Sequence, residues 1–136
     1  MKEPATIMNT STDKAEIQIL VVEDNIVNQR LVKVILEPLN YSLDFAINGK
    51  EAIGKVANIN YSLILMDIQM PILDGFQAAK HIRLNIRGEM PIVGLTANID
   101  ENVIEQCMKV GMNDFLGKPF SQEQLVEMVQ KWVGTR

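Results

Sequence analysis

Ile17-Gln18-Ile19-Leu20-Val21-Val22 runs without a break into Glu23-Asp24-Asn25. A stretch this short and this nearly apolar reads as a strand covered on both faces, as in a parallel sheet flanked by helices. The pattern recurs down the chain. Leu63-Ile64-Leu65-Met66 ends on Asp67, Ile92-Val93-Gly94-Leu95 ends on Thr96, and Phe115-Leu116-Gly117 ends on Lys118-Pro119. In an open parallel sheet the carboxyl ends of neighbouring strands form the ligand crevice. These residues are therefore expected to converge from far apart in sequence. Three carboxylates, a hydroxyl and an ammonium in one crevice suit a dication and a phosphoryl group.

Between the strands the periodicity changes to that of helices. Asn25 can cap a first helix whose apolar positions include Ile26, Leu31, Val34 and Ile35. Pro38 should kink or end it, and Asn40 suits a left-handed exit. Leu43-Asp44-Phe45-Ala46 mixes polar and apolar residues, as an edge strand does. A short helix after Asn48-Gly49 turns Ala52, Ile53 and Val56 inward. Pro71 and Asp74-Gly75 punctuate the loop after Asp67, before a helix carrying Phe76, Ala79 and Ile82. A helix near Asp100–Val110 stops at Gly111. Ser121-Gln122-Glu123-Gln124 is a capping box, with Phe120 and Leu125 as its hydrophobic staple. The last helix buries Leu125, Met128, Val129 and Trp132. Five strands alternating with five helices imply an α/β three-layer sandwich with right-handed crossovers. Residues 1–15 are polar and read as a leader or linker, which leaves 16–136 as one domain.

Bulk properties narrow the function. A chain of 136 residues can bury a single core. A net charge of −4 argues against sequence-independent nucleic-acid binding, which needs a basic face. The apolar runs are far shorter than the roughly 20 residues of a membrane span. Met1-Lys2-Glu3-Pro4 lacks the apolar core of a secretory signal. The single cysteine, Cys107, has no partner for an internal disulfide or a Cys-Cys metal site. A cytosolic setting is the simplest reading, without direct membrane contact by this domain.

Four motifs carry a resemblance. Val21-Val22-Glu23-Asp24-Asn25, Met66-Asp67-Ile68-Gln69-Met70-Pro71 with Asp74-Gly75, Leu95-Thr96-Ala97, and Lys118-Pro119-Phe120 occur in order, each at a strand end. Over residues 17–133 the chain resembles the receiver domain of two-component response regulators, and most closely the receivers attached to hybrid sensor histidine kinases. The resemblance implies a flavodoxin-like fold with strand order 2-1-3-4-5. The chemotaxis member of the family has that order, so it is taken from the resemblance and not from the residues. It also implies a phosphorelay role, in which Asp67 accepts a phosphoryl group from phosphohistidine with Mg²⁺ as cofactor. Asp24 and Asp67 would ligate the metal directly, with the main-chain carbonyl of Gln69, and Glu23 would act through water. Lys118 would offset developing charge, and Thr96 would bond the attached phosphoryl group while Phe115 moves with it as a switch. The Lys118–Pro119 bond is expected to be cis. A histidine kinase or histidine-phosphotransfer domain would dock on Asn25, Ile26, Gln29, Pro119 and Phe120. The chain would be either a free receiver or part of a longer protein, including the cytosolic part of a membrane-bound sensor kinase.

Rival chemistries fit less well. An aspartate-nucleophile phosphohydrolase of the haloacid dehalogenase type needs a second aspartate two positions after the nucleophile, and Gln69 stands there. A flavin carrier needs a hydroxyl- and glycine-rich phosphate loop after the first strand, where Glu23-Asp24-Asn25 would repel phosphate. An interaction module that kept only the fold need not retain Asp24, Asp67, Thr96 and Lys118 together. Nothing resembles a Gly-rich nucleotide loop. His81 reads as a solvated histidine, and Cys107 as a small core residue.

Overall fold

Leu63–Asp67 is buried at every position, as a strand with neighbours on both edges and helices on both faces must be. In the computed structural model, which describes residues 17–70, 72–86 and 88–134, this is β3. It stands at the centre of a five-stranded sheet with β1 (Gln18–Val22), β2 (Ser42–Ala46), β4 (Ile92–Thr96) and β5 (Asp114–Gly117). All pairings are parallel and the order is β2-β1-β3-β4-β5. The helices are α1 (Ile26–Leu36), α2 (Gly49–Asn58), α3 (Gly75–Asn85), α4 (Glu101–Lys109) and α5 (Gln122–Val133). The expected 1–15 leader lies outside the described residues, as does Pro71.

Alternation along each strand builds two cores. Leu20, Val22, Ile64, Met66 and Ile92 face α2, α3 and α4, and pack with Ala52, Val56, Ala79, Ile82 and Cys107. Ile19, Val21, Leu65, Val93 and Leu95 face α1 and α5, and pack with Val32, Ile35, Leu36, Leu125 and Val129. Local signals end the helices where the sequence places them. Asn25, Asn48, Asp74, Asp100 and Ser121 all cap through side-chain oxygens. Asp74–Gln77 and Ser121–Gln124 close reciprocal capping boxes. Pro38 lies in a one-turn 3₁₀ segment that ends α1, and Asn40 leaves it at φ 64°. Cys107 is buried among apolar groups, and burial pushes its thiol up. His81 is exposed, beside Asn85.

The first helix exposes most of its apolar positions. Ile26, expected on the docking face, is 62% exposed; Leu31 and Val34 are exposed as well, Val34 by 70%, and of the four only Ile35 is buried. The buried stripe is Val32, Ile35 and Leu36. Val27, Leu31 and Val34 form a second stripe at helical spacing, and that one faces outward.

Both edges of the sheet are tied by a carboxylate. On β2, Asp44 accepts from Tyr61 Oη at 2.5 Å and Lys55 Nζ at 3.1 Å. On β5, Asp114 Oδ2 accepts from Lys131 Nζ at 2.6 Å and Trp132 Nε1 at 3.2 Å, and Oδ1 from the Phe115 N–H. Burial by itself would raise the Asp114 carboxyl, but these donors outweigh it and hold the group below its ordinary 3.8. A depressed folded-state pKa contributes stability above the unfolded value that disappears as pH falls through the folded one. Asp114→Asn is therefore expected to be less stable than wild type at pH 7 in urea melts. The gap should close as pH falls below 3.8; a gap independent of pH would show that the charge contributes nothing.

Candidate functional site

The strands deliver their terminal side chains to one edge of the sheet because all five run the same way. Glu23 and Asp24 follow β1, Asp67 ends β3, Thr96 ends β4 and Lys118 follows β5. Glu23, Asp67 and Thr96 are 2%, 5% and 1% exposed, whereas Asp24 is open to solvent. Glu23, Asp24 and Asp67 each offer a carboxylate oxygen within 4.8 Å of the others. Like charges at that range repel by roughly 3.5 kcal/mol at an effective dielectric of about 20. The acids are held together by what surrounds them.

Lys118 is the central counter-charge. Its Nζ donates to Glu23 Oε1 at 2.8 Å and to Asp67 Oδ2 at 3.1 Å. Burial alone would lower the ammonium, but the bonds and charges of Glu23 and Asp67 outweigh it and raise it above the ordinary lysine value. The cis Lys118–Pro119 bond follows directly, and the Lys118 N–H donates to Thr96 O at 2.7 Å. The remaining oxygens have main-chain donors. Glu23 Oε2 accepts from the Asn25 N–H at 3.2 Å, and Asp67 Oδ1 from the Gln69 N–H at 3.1 Å. The Gln69 peptide therefore stands beside the Asp67 carboxylate. The Thr96 hydroxyl is bonded locally: Oγ1 donates to Asn98 O at 3.2 Å and accepts from the Asn98 N–H at 3.1 Å. Phe115 is half-buried and pairs in register with Gly94, two residues before Thr96.

Two residues contribute in ways the sequence reading did not assign. Gly75 begins α3 hard against β3: a Cβ there would collide with the Asp67 main-chain oxygen and stand 2.8 Å from Ile68 Cα. The Asp74-Gly75 pair is thus more than a turn signal, since only glycine lets the helix approach the backbone of Asp67. Gln29, read as part of a docking face, is half-buried, and its Nε2 donates to Glu23 O at 2.7 Å. A cavity of about 330 Å³ opens beside the acids, between α1 and the loop after β5. Asn28, Leu31, Ala97, Pro119 and Phe120 line it, together with Glu23 and Lys118.

A buried carboxylate at a strand end, paired with a lysine from the last strand and set beside two further acids, defines a signal-receiving site of the doubly wound α/β class. The chain belongs to the response regulator receiver domain family, whose model matches residues 19–130. Among its relatives, the osmosensing histidine protein kinase SLN1 of Saccharomyces cerevisiae is 39% identical over 126 residues, which is 88% of this chain and 10% of that kinase. The chain therefore spans about a tenth of that relative's length. The receiver domain of sensor histidine kinase PA1611 from Pseudomonas aeruginosa has a magnesium ion coordinated in its active site cleft. It superposes with a TM-score of 0.80 at 39% identity, over 87% of this chain and 98% of that one. The receiver domain of Saccharomyces cerevisiae Ssk1, solved in complex with the histidine phosphotransfer protein Ypd1, superposes with a TM-score of 0.79 at 32% identity. That match covers 85% of this chain and 88% of the Ssk1 chain. Among the described residues no helix is long and apolar enough to cross a membrane.

Proposed function

We propose that this chain takes a phosphoryl group from phosphohistidine onto Asp67, as the receiver of a hybrid sensor histidine kinase on the cytosolic side. Residues 16–136 would form the receiver and 1–15 the segment leading into it. The observation that carries the reading is the Asp67 carboxylate, nearly buried yet bonded through Oδ2 to Lys118, with two more acids within 4.8 Å. Buried charges are paired or hold a metal, and here a single ammonium, that of Lys118, faces three carboxylates. The donor set fits Mg²⁺, which takes one or two carboxylates with waters and phosphate oxygens. Asp24 and Asp67 would hold it directly, together with the Gln69 main-chain carbonyl, and Glu23 through water. When bound, the ion offsets the negative charge of the acids and of the phosphoryl oxygens.

The remaining work falls to the chain's own residues. An Asp67 oxygen attacks phosphorus, a P–O bond forms, and the P–N bond to the donor imidazole breaks. The imidazole keeps the electron pair and takes a proton from solvent. Lys118, already beside Asp67, stabilises charge on the equatorial oxygens. Thr96 would exchange its bonds to Asn98 for one to the phosphoryl group, and Phe115 would turn into the space beside it. Intact-mass analysis after incubation with acetyl phosphate and Mg²⁺ tests the reading. One acid-stable, hydroxylamine-labile phosphate is expected, and none with the metal chelated. A chain that stays unlabelled under all conditions would overturn it.

The donor, a histidine kinase or a histidine-phosphotransfer domain, must bring its imidazole to Asp67, so it has to cover the strand ends. Ile26 and Val27 are exposed at the start of α1, and Leu31, one turn on from Val27, lines the cavity together with Pro119 and Phe120. An apolar patch of this kind marks a protein contact. Asn25 lies at its edge, engaged in capping α1. Ile26→Asp is expected to slow transfer from a phosphorylated protein donor by about tenfold, equivalent to about 1.4 kcal/mol of lost docking. Labelling by acetyl phosphate should be nearly unchanged, because that donor needs no docking surface. Equal losses with both donors would place the damage in the site itself.

A further inference from the structure

We infer that Gln29 is a positioning residue for the metal-binding acids, setting the plane of the peptide that joins Glu23 to Asp24. This rests on the proposed Mg²⁺ site. The carbonyl that Gln29 Nε2 grips at 2.7 Å belongs to that peptide. A trans peptide is planar, so fixing its oxygen fixes the direction in which the chain enters Asp24. Glu23 itself is held elsewhere. Its N–H donates to Ala46 O at 2.9 Å, and its carboxylate is bonded by Lys118 and the Asn25 N–H. Asp24 is the exposed member of the cluster, just past the end of β1. Its orientation depends on the peptide before it.

Gln29 is well placed to act as this brace. Its own N–H donates to Asn25 O at 3.0 Å, in the first turn of α1. That turn is in turn fixed by the Asn25 side chain, which accepts from Val27 N at 2.8 Å and Asn28 N at 3.1 Å. The rigid helix start thus reaches back to the acid pair through one amide. Removing the donor frees the peptide to rotate, so Asp24 must be reordered each time it ligates the ion. The cost falls on cation affinity; Asp67, which ends β3, and Lys118, which follows β5, lie on other segments and keep their bond to each other.

The test compares wild type with Gln29→Met, which keeps the length but loses the donor, and Gln29→Asn, which keeps the amide but is one methylene short. Calorimetric titration with Mg²⁺ alone should show dissociation constants raised about tenfold in both, the lower end of what outer partners of metal ligands contribute. In acetyl phosphate labelling, the Mg²⁺ concentration for half-maximal rate should rise by the same factor while the rate at saturating Mg²⁺ stays near wild type. A residue with a purely structural role would lower the thermal midpoint in chelator and leave both Mg²⁺ readouts unmoved, which overturns the inference. A wild-type chain without Mg²⁺ affinity would overturn the metal-site reading with it; unchanged affinity in the variants overturns the role of Gln29 alone.

Discussion

Asp67→Asn is expected to abolish phosphate incorporation altogether, from acetyl phosphate and from a phosphohistidine donor alike. The amide keeps the volume and the bond from the Gln69 N–H, but it has no anionic oxygen with which to form the acyl phosphate. The fold should survive, because the substitution removes one negative charge from a cluster of three carboxylates, two of which are bonded to Lys118. Intact-mass spectrometry gives the answer directly. Labelling of the variant at wild-type stoichiometry would assign the acceptor elsewhere, and the nearby Asp24 would be the first residue to substitute next.

Removing Lys118 should affect both chemistry and stability, and the two can be separated. In Lys118→Met, Glu23 at 2% exposure and Asp67 at 5% lose their shared ammonium. Deleting one partner of a buried pair costs roughly 3–5 kcal/mol. The low end, about 3 kcal/mol, is expected here because the Lys118 side chain keeps 20% of its surface in solvent. Saturating Mg²⁺ should restore much of this loss, since the ion supplies positive charge to the same acids. Phosphotransfer should stay about 10²–10³-fold down even at saturating Mg²⁺, the range seen when a donor to developing charge is deleted. Urea melts with and without Mg²⁺ and single-turnover labelling provide the two readouts. Transfer that recovers together with stability would make Lys118 a structural counter-ion only.

Much of the architecture is legible because strand burial is written into composition. Ile19–Val22 and Leu63–Met66 are apolar at successive positions, and both prove central and covered on two faces. Capping is legible for the same local reason: Asp74–Gln77 and Ser121–Gln124 bond within one turn. Strand order is not written in the residues in this way. It follows from the resemblance, because parallel ladders use backbone groups that every residue carries. Which face of α1 meets the sheet is not legible, because its sequence holds two apolar stripes and periodicity alone cannot choose between them.

The sequence by itself thus determined the alternation of strands and helices, the ends of those helices, and the identity of the polar residues at the strand ends. These follow from short-range rules in which each residue meets neighbours within about one turn. The tertiary structure decided the rest. Lys118 reaches Glu23 across 95 positions and Asp67 across 51. Val32, Ile35 and Leu36 meet the sheet while Val27, Leu31 and Val34 face solvent. The amide of Gln29 turns back to the Glu23 carbonyl, and Gly75 lies against the backbone of Asp67. Each of these depends on where separate elements come to rest against one another, and packing settles that only once the whole sheet and both helical layers have formed.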